Sequence, residues 1–127
     1  MSSGGCFCGA VRYEAKPIGR VTYCHCSKCR KWHGHFGAYT ATKREDFKLT
    51  VERGLKGHSV SGTVKRGFCQ ECGSSLFFDE AGDGHLSICP GTLDDPTGLT
   101  SKAHIFVASK ADYYELGDGL EKYDAYP

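Results

Sequence analysis

Three cysteines, Cys24, Cys26 and Cys29, lie within six positions of the chain and are here called the triad. One residue separates the first two and two residues precede the third, so a single tight turn can direct all three sulfurs at one centre. Zinc is the ion that thiolates most often hold in this way. Three ligands leave tetrahedral zinc one short, which is typical of a catalytic zinc that keeps a position for water or substrate.

Two further cysteine pairs, Cys6 with Cys8 and Cys69 with Cys72, lie at opposite ends of the region predicted to be β. These four residues, here called the tetrad, offer the ligands of a closed, structural zinc site. Metal binding at such a site contributes directly to folding, by about 10–16 kcal/mol in small zinc-dependent peptides. Spacing alone also allows other pairings, such as Cys69 and Cys72 with the triad.

The eight cysteines of the chain have two interpretations. A disulfide framework is typical of secreted proteins, whereas closely spaced cysteines in a reducing compartment are typical of metal sites. The N-terminal residues lack the apolar region of a signal peptide, and no apolar run approaches the roughly 18 residues of a membrane span. We therefore expect a cytoplasmic protein with reduced thiols and two zinc ions per chain, the one at the triad being the more labile.

Length and charge narrow the class of protein further. The chain has 127 residues, which predicts a single domain over residues 1–127. Sixteen basic and fifteen acidic side chains give a formal net charge of +1. This balance lacks the strongly basic surface by which nucleic acids and anionic membranes are bound. Nucleic acids and membranes are therefore not expected as partners; the expected partners are a small-molecule thiol and an aldehyde, for the chemical reasons given below.

Short alternating segments predict a mainly β fold in which the cysteines occupy the turns. A hairpin is expected around residues 61–62, and a short helix is expected at residues 110–116, followed by an irregular tail at 117–127. The predicted strands are residues 10–15, 20–23, 36–42, 47–51, 58–60, 63–66, 75–78, 85–89 and 104–107.

The triad is suited to the activation of a thiol. Zinc with three thiolates carries a formal charge of −1, so it is a weak Lewis acid toward water but still accepts a soft fourth ligand. A substrate thiol bound there would be deprotonated at neutral pH and could attack an aldehyde carbonyl. Three cations beside the triad, Lys28, Arg30 and Lys31, are candidates for counter-charge or for binding the carboxylates of a peptide-like thiol.

Other residues near the triad have both a functional and a structural interpretation. His33 and His35 either line the site as proton carriers or are ordinary surface histidines. Trp32 either stacks on the substrate or packs beneath the loop. His25, between two ligands, is expected to point away from the metal and to be exposed. Cys89 is expected in the core, although a triad closed by His33, His35 or Cys89 would be a purely structural site.

Four motifs in order along the chain resemble the glutathione-dependent formaldehyde-activating enzyme family, also called the Gfa or centromere-protein-V-like family. The resemblance covers residues 5 to about 107. The motifs are Gly5-Cys6-x-Cys8-Gly9, Cys24-His25-Cys26-x-x-Cys29-Arg30-Lys31, Phe68-Cys69-x-x-Cys72-Gly73 and Gly91-Thr92-Leu93-Asp94.

This resemblance implies an Mss4-like fold, a β-tent of folded antiparallel sheets pinned by zinc-binding turns. It also implies a structural zinc at the tetrad and a catalytic zinc at the triad. The implied activity is that of a carbon–sulfur lyase, the addition of glutathione to formaldehyde to give S-hydroxymethylglutathione. The alternative is a non-catalytic zinc-binding module that engages a protein partner, because Mss4-like folds also include such proteins.

Overall fold

The computed structural model describes residues 1–127, and most of its regular structure is β. It contains eleven strands, a single short α-helix and three 3₁₀ turns at Arg44–Asp46, Pro90–Thr92 and Val107–Ser109. The strands are β1 (Ser2–Gly5), β2 (Arg12–Ala15), β3 (Arg20–Cys24), β4 (Gly37–Lys43), β5 (Lys48–Val51), β6 (Leu55–Ser59), β7 (Val64–Cys69), β8 (Ser75–Glu80), β9 (His85–Ile88), β10 (Thr100–Ile105) and β11 (Glu121–Lys122), and the helix α1 is Ser27–His33. The predicted mainly β class is confirmed.

The chain divides into two compact units, each built from two separate segments. The first unit comprises Met1–Ile18 and Thr40–Gly98, and the second comprises Gly19–Tyr39 and Leu99–Pro127. The tetrad belongs to the first unit and the triad to the second. Within the chain no helix has the length and apolar character needed to span a membrane.

The first unit is antiparallel throughout. Strands β1, β2 and β5 form a three-stranded sheet, and residues 40–43 of β4 begin a run of strands that continues through β9, β8, β7 and β6. The expected alternation is visible in β2, where Tyr13 and Ala15 are buried and their neighbours are not. The predicted hairpin joins β6 to β7, and the Val60 N–H donates to the Val64 carbonyl across its turn. The largest fully buried apolar side chains of this unit are Val11, Tyr13, Leu76 and Ile88.

The second unit mixes parallel and antiparallel pairing. Strand β3 pairs antiparallel with residues 37–39 of β4 on one side and parallel with β10 on the other, and β11 pairs parallel with β10. Helix α1 begins three residues after β3 ends. The core of this unit is unusually polar, because His25 and His104 are buried in it beside Val21, Cys24 and Ala103.

The structure corrects three local predictions. The triad is held by the start of a helix, α1, and not by a turn alone. Residues 110–116 are not helical. There the Lys110 ammonium donates to the Ala111 carbonyl, 2.8 Å away, and to the Tyr114 carbonyl. These hydrogen bonds hold the segment in place through contacts with its own backbone. The tail predicted to be irregular contains β11, which lies against β10.

Candidate metal centres

The four sulfurs of the tetrad converge on one point of the first unit. Their Sγ atoms all lie within 4.8 Å of one another, with Cys6 3.7 Å from Cys8 and Cys8 3.8 Å from Cys69. Cys6 and Cys69 are buried, Cys72 is half-buried and Cys8 is exposed. The structure thus groups Cys69 and Cys72 with the first cysteine pair, and it leaves the triad as a separate group.

Two tight loops shape the tetrad. In the first loop the Val11 N–H donates to Cys6 Sγ at 3.2 Å, and Gly9 adopts a φ of 84°. In the second loop the Gly73 N–H donates to the Cys69 carbonyl at 2.7 Å, and Gly73 has a φ of 82°. Positive φ angles of this kind favour glycine, so the glycine after each second cysteine is explained by the turn it makes.

The thiols of the tetrad compete for negative charge. The hydroxyl and N–H of Ser74 favour the Cys72 thiolate and lower its pKa to about 5. The Ala10 N–H also favours the Cys8 thiolate, but desolvation and the three neighbouring sulfurs outweigh it and raise the pKa of Cys8 to about 12. A divalent cation removes this competition by ionising all four sulfurs. Four soft thiol donors at these separations fit a thiophilic ion such as zinc.

The triad is held at the junction of β3 and α1. Cys24 ends the strand, Cys26 is the N-cap residue of the helix and Cys29 lies in its first turn. The Cys29 N–H donates to Cys26 Sγ at 3.3 Å, which fixes that sulfur at the start of the helix. The three sulfurs lie within 4.8 Å of one another. Hydrogen bonding with Cys29 and burial raise the pKa of the Cys24 thiol, so this set also fits a thiophilic cation that displaces the protons.

Helix α1 carries every residue predicted to bind substrate. Lys28 and Lys31 are exposed, while Trp32 and His33 are half-buried. Arg30 is half-buried too, and its Nε atom is buried without a hydrogen-bond partner. The helix ends at Gly34, whose N–H donates to the Arg30 carbonyl at 2.9 Å in a left-handed C-cap.

Two tyrosines bind the histidines that were considered as ligands or proton carriers. His33 Nε2 lies 2.6 Å from the Tyr39 hydroxyl, and that hydroxyl lies 3.7 Å from Cys29 Sγ. His35 is exposed, and its Nδ1 is hydrogen-bonded to the Tyr113 hydroxyl. Tyr39 was not among the predicted site residues, because nothing in a strand pattern distinguishes a tyrosine that faces a cysteine group.

The prediction of an exposed His25 is wrong. The residue is 0% exposed, with Nδ1 2.6 Å from the Tyr114 hydroxyl and Nε2 2.8 Å from His104 Nδ1. The chain of contacts continues from His104 Nε2 to an Asp118 carboxylate oxygen at 2.7 Å. Burial lowers the pKa of His25 to about 4, so the ring is neutral at pH 7. Because its partners are 79 and 89 positions away, local spacing gave no signal of this network.

Cys89 belongs to neither cysteine group. It is half-buried, where the sequence predicted a core residue, and its sulfur lies 3.5 Å from the Ser75 hydroxyl. Nearby, the Thr92 hydroxyl donates to the Cys89 carbonyl at 2.7 Å. The motif that contains Thr92 ends in Asp94, which forms an ion pair with Arg12 at 2.6 Å. This motif therefore ties strand β2 to the segment after β9.

The fold and the two cysteine groups can now be compared with known proteins. Residues 1–109 match the family model described as "Glutathione-dependent formaldehyde-activating enzyme". Since the match covers most of the chain, the protein belongs to this family.

Two curated relatives agree with that assignment, and one solved structure shares the fold. A putative glutathione-dependent formaldehyde-activating enzyme of Halomonas elongata is 28% identical over 131 residues, with 91% of this chain and 81% of that protein covered. An uncharacterized lyase of Schizosaccharomyces pombe is 25% identical over 120 residues, covering 91% of this chain and 85% of the relative. The crystal structure of a Rhodobacter sphaeroides protein shares the fold with a TM-score of 0.66 at 17% identity, over 95% of this chain and 98% of that one.

Proposed function

We propose that this protein is a lyase-type enzyme that forms or cleaves the adduct of a thiol with an aldehyde, using a zinc ion held by the triad. The proposal depends chiefly on one observation. The three triad sulfurs lie within 4.8 Å of one another at the β3–α1 junction, and they form a group of three ligands. Zinc bound there would supply a fourth position at which a substrate thiol ionises at neutral pH. Glutathione and formaldehyde, named in the family's description, are the first substrates to test.

The reaction needs no oxidant or reductant. A bond forms between the thiol sulfur and the aldehyde carbon, the carbonyl electron pair moves to oxygen, and that oxygen takes a proton to become a hydroxyl. The proton lost by the thiol balances the one gained, and cleavage is the same path in reverse. The protein must therefore bind the thiol, orient the aldehyde and hold a proton near the carbonyl oxygen.

The cations of α1 support binding of an acidic thiol. Arg30 directly follows a triad cysteine, and its buried Nε has no partner in the protein. The side chain as a whole is half-buried, and its guanidinium would offer a carboxylate of glutathione a charge-assisted hydrogen bond. Lys28 and Lys31 are exposed on the same helix and would add attraction for an anion, whereas Trp32 offers a face for packing.

The Tyr39 hydroxyl supports handling of the proton. It lies between Cys29 Sγ and His33 Nε2, and because a hydroxyl has a single hydrogen it donates to one of them and accepts from the other. A hydroxyl that donates a hydrogen bond to a metal-binding sulfur would fix the position of that sulfur, as hydrogen bonds to metal ligands generally do. His33 is then placed to hold the proton that the reaction exchanges.

The tetrad has a structural role in this proposal. Four thiolates close the coordination of zinc and leave no position for substrate. Metal binding there would join β1 and β2 to the loop between β7 and β8. Removal of metal should therefore affect the two sites differently. Loss of metal from the tetrad should destabilise the fold, whereas loss of metal from the triad should abolish activity.

A non-catalytic module that binds a protein partner is the second candidate. Phe7 lies between two tetrad cysteines and is 94% exposed, and aromatic residues are enriched at protein–protein interfaces relative to the rest of the surface. The triad distinguishes the two functions. A module needs only structural metal, so its triad variants would bind the partner unchanged.

The deciding experiment measures zinc content and adduct turnover together. We expect two zinc ions per reduced chain, and acceleration of the glutathione–formaldehyde equilibrium measured by NMR exchange. Cys29→Ser should lose one zinc and the acceleration while keeping its fold. Cys89→Ser is the matched control, since this cysteine belongs to neither group. An unchanged metal content and turnover in Cys29→Ser would contradict the proposal.

A further inference from the structure

A continuous hydrogen-bonded network runs through the core of the second unit. Asp118 contacts His104, His104 contacts His25, and His25 contacts Tyr114, through distances of 2.7, 2.8 and 2.6 Å. The two imidazoles are 2% and 0% exposed. Tyr114 and Asp118 lie beyond residue 109, where the match to the family model ends.

The chemistry of the groups gives the hydrogen bonds of the network a direction. The His104 N–H holds the pKa of the Asp118 carboxyl below its usual range, so at neutral pH this group is ionised and only accepts. His104 Nε2 must then donate to it, and in the tautomer that carries this single N–H the Nδ1 atom of His104 is an acceptor. That acceptor takes the Nε2–H of His25, whose own Nδ1 accepts the Tyr114 O–H.

His25 is fixed at every one of its donor and acceptor atoms except its carbonyl. Its backbone N–H donates to the Ile105 carbonyl at 3.0 Å, continuing the parallel pairing of β3 with β10. Both ring nitrogens are bonded within the network. Its ring also packs against Phe36 with 4.7 Å between centroids. Because Cys24 and Cys26 flank it, the residue that separates two triad sulfurs cannot move independently of the network.

We propose that Asp118 and His104 are positioning residues of the triad, which act through His25 to hold Cys24 and Cys26 in the geometry that binds a metal ion. This inference rests on the proposed metal at the triad. It assigns a supporting role at the triad to the segment that contains Asp118, which lies outside the region matched by the family model. A carboxylate that accepts a hydrogen bond from a metal-binding histidine fixes the orientation of that ligand. In this network the histidine is not itself a metal ligand, but it lies between two of the proposed ligands.

The test removes the acceptor at the far end of the network. In Asp118→Ala, His104 Nε2 loses its partner, and we expect the affinity of the triad for zinc to fall about tenfold or more. Asp118→Asn keeps an oxygen acceptor and should recover most of the affinity. Asp112→Ala removes an exposed carboxylate of the same segment and should leave zinc affinity unchanged. Zinc release to a chelator gives the affinities, with the tetrad of the same molecule as internal reference.

Two spectra distinguish a positioning role from a general loss of stability. Imidazole ¹⁵N spectra of the native protein should show Nε2–H tautomers for His25 and His104, and Asp118→Ala should lose this fixed state. Cobalt(II) loaded at the triad should show altered sulfur-to-metal absorption in Asp118→Ala but not in Asp112→Ala.

The outcomes separate this inference from the proposed function. Equal zinc affinity and equal cobalt spectra in Asp118→Ala and Asp112→Ala would overturn the positioning role while leaving the proposed enzyme intact. A native triad that binds neither zinc nor cobalt would overturn the proposed function, and the positioning role with it. Weaker zinc at the tetrad together with the triad would show general destabilisation and would also overturn the inference.

Discussion

The hydroxyl oxygen of Tyr39 lies 3.7 Å from the sulfur of Cys29. The same oxygen is 2.6 Å from His33 Nε2, so one hydroxyl connects a triad cysteine to an imidazole four residues along the same helix. Gly37 makes this arrangement possible, because a Cβ there would lie 2.8 Å from the His33 ring and 2.9 Å from the Tyr39 ring. The contact is therefore built into the local packing of α1 against β4.

Tyr39→Phe should lower turnover without unfolding the protein. The variant keeps the ring but removes the hydrogen bond to sulfur, and outer-shell losses of this kind cost about tenfold or more in metal affinity or activity. Turnover of the glutathione–formaldehyde adduct and zinc affinity of the triad are the measurements. Tyr113→Phe is the matched control, since its hydroxyl binds exposed His35. Equal effects of the two variants would argue against a role for Tyr39.

Arg30→Ala should raise the KM for an acidic thiol selectively. The variant removes the half-buried guanidinium and with it the proposed interaction with a substrate carboxylate. A charge-assisted hydrogen bond of about 1.5–3 kcal/mol corresponds to roughly tenfold or more in KM. An uncharged thiol such as 2-mercaptoethanol should show little change. Lys102→Ala, an exposed cation of β10, serves as control. A KM that rises equally for both thiols would exclude carboxylate recognition by Arg30.

Gly54→Ala should disturb the tetrad. A Cβ at this position would lie 2.7 Å from Cys69 Sγ and 2.8 Å from the Ala10 Cβ, so a sulfur or the backbone must shift. Overpacking of this kind costs about 1–3 kcal/mol. Thermal unfolding with and without a chelator measures the loss, which should be largest in the metal-loaded protein. Gly57→Ala is the control, because its nearest neighbour would be 3.8 Å away. A Tm that is equal in the two variants would contradict the prediction.

Tyr13→Phe should destabilise the protein at pH 7 and change its behaviour in alkali. The Tyr13 hydroxyl donates to Thr92 Oγ1 at 2.6 Å, and loss of such a bond costs about 1 kcal/mol. Burial raises the pKa of Tyr13 to about 12. The unfolded chain ionises near pH 10 while the folded protein keeps the proton, so stability falls as the pH rises from about 10 to about 12.

Denaturant unfolding at a series of pH values checks this pair of expectations. The native protein should lose more stability than Tyr13→Phe between pH 10 and 12, so the two curves should converge. Tyr113→Phe, which removes an exposed hydroxyl, should follow the native curve in this range. Parallel curves for the native protein and Tyr13→Phe would show that this hydroxyl does not titrate with folding.

The cysteine groups were visible in the sequence because metal ligands are spaced by local geometry. Cys24, Cys26 and Cys29 are gathered by a single strand–helix junction, and each tetrad pair is gathered by one loop. The mainly β fold followed from short alternating segments for the same local reason. By contrast, His25 meets His104 and Tyr114 because β3 pairs with β10, and no local pattern encodes that pairing.

Two local predictions, the exposure of His25 and the helix at residues 110–116, were wrong for physical reasons that the neighbouring sequence does not show. His25 was expected to be exposed because a residue between two ligands points away from the metal, but here that direction leads into the core of the second unit. The helix expected at residues 110–116 fails where Tyr113 and Tyr114 turn their rings toward His35. In both places tertiary contacts outweighed the preference of the segment itself.

The parallel pairing of β3 with β10 has a consequence for biosynthesis. His25 and its partner His104 are 79 positions apart, and translation at 5–20 residues per second separates their synthesis by about 4–16 s. During that interval the triad thiols have left the ribosome before the strand that completes their unit exists. A newly made chain must therefore keep three sulfurs reduced until its last segment arrives, which makes the nascent protein more sensitive to oxidants than the finished one.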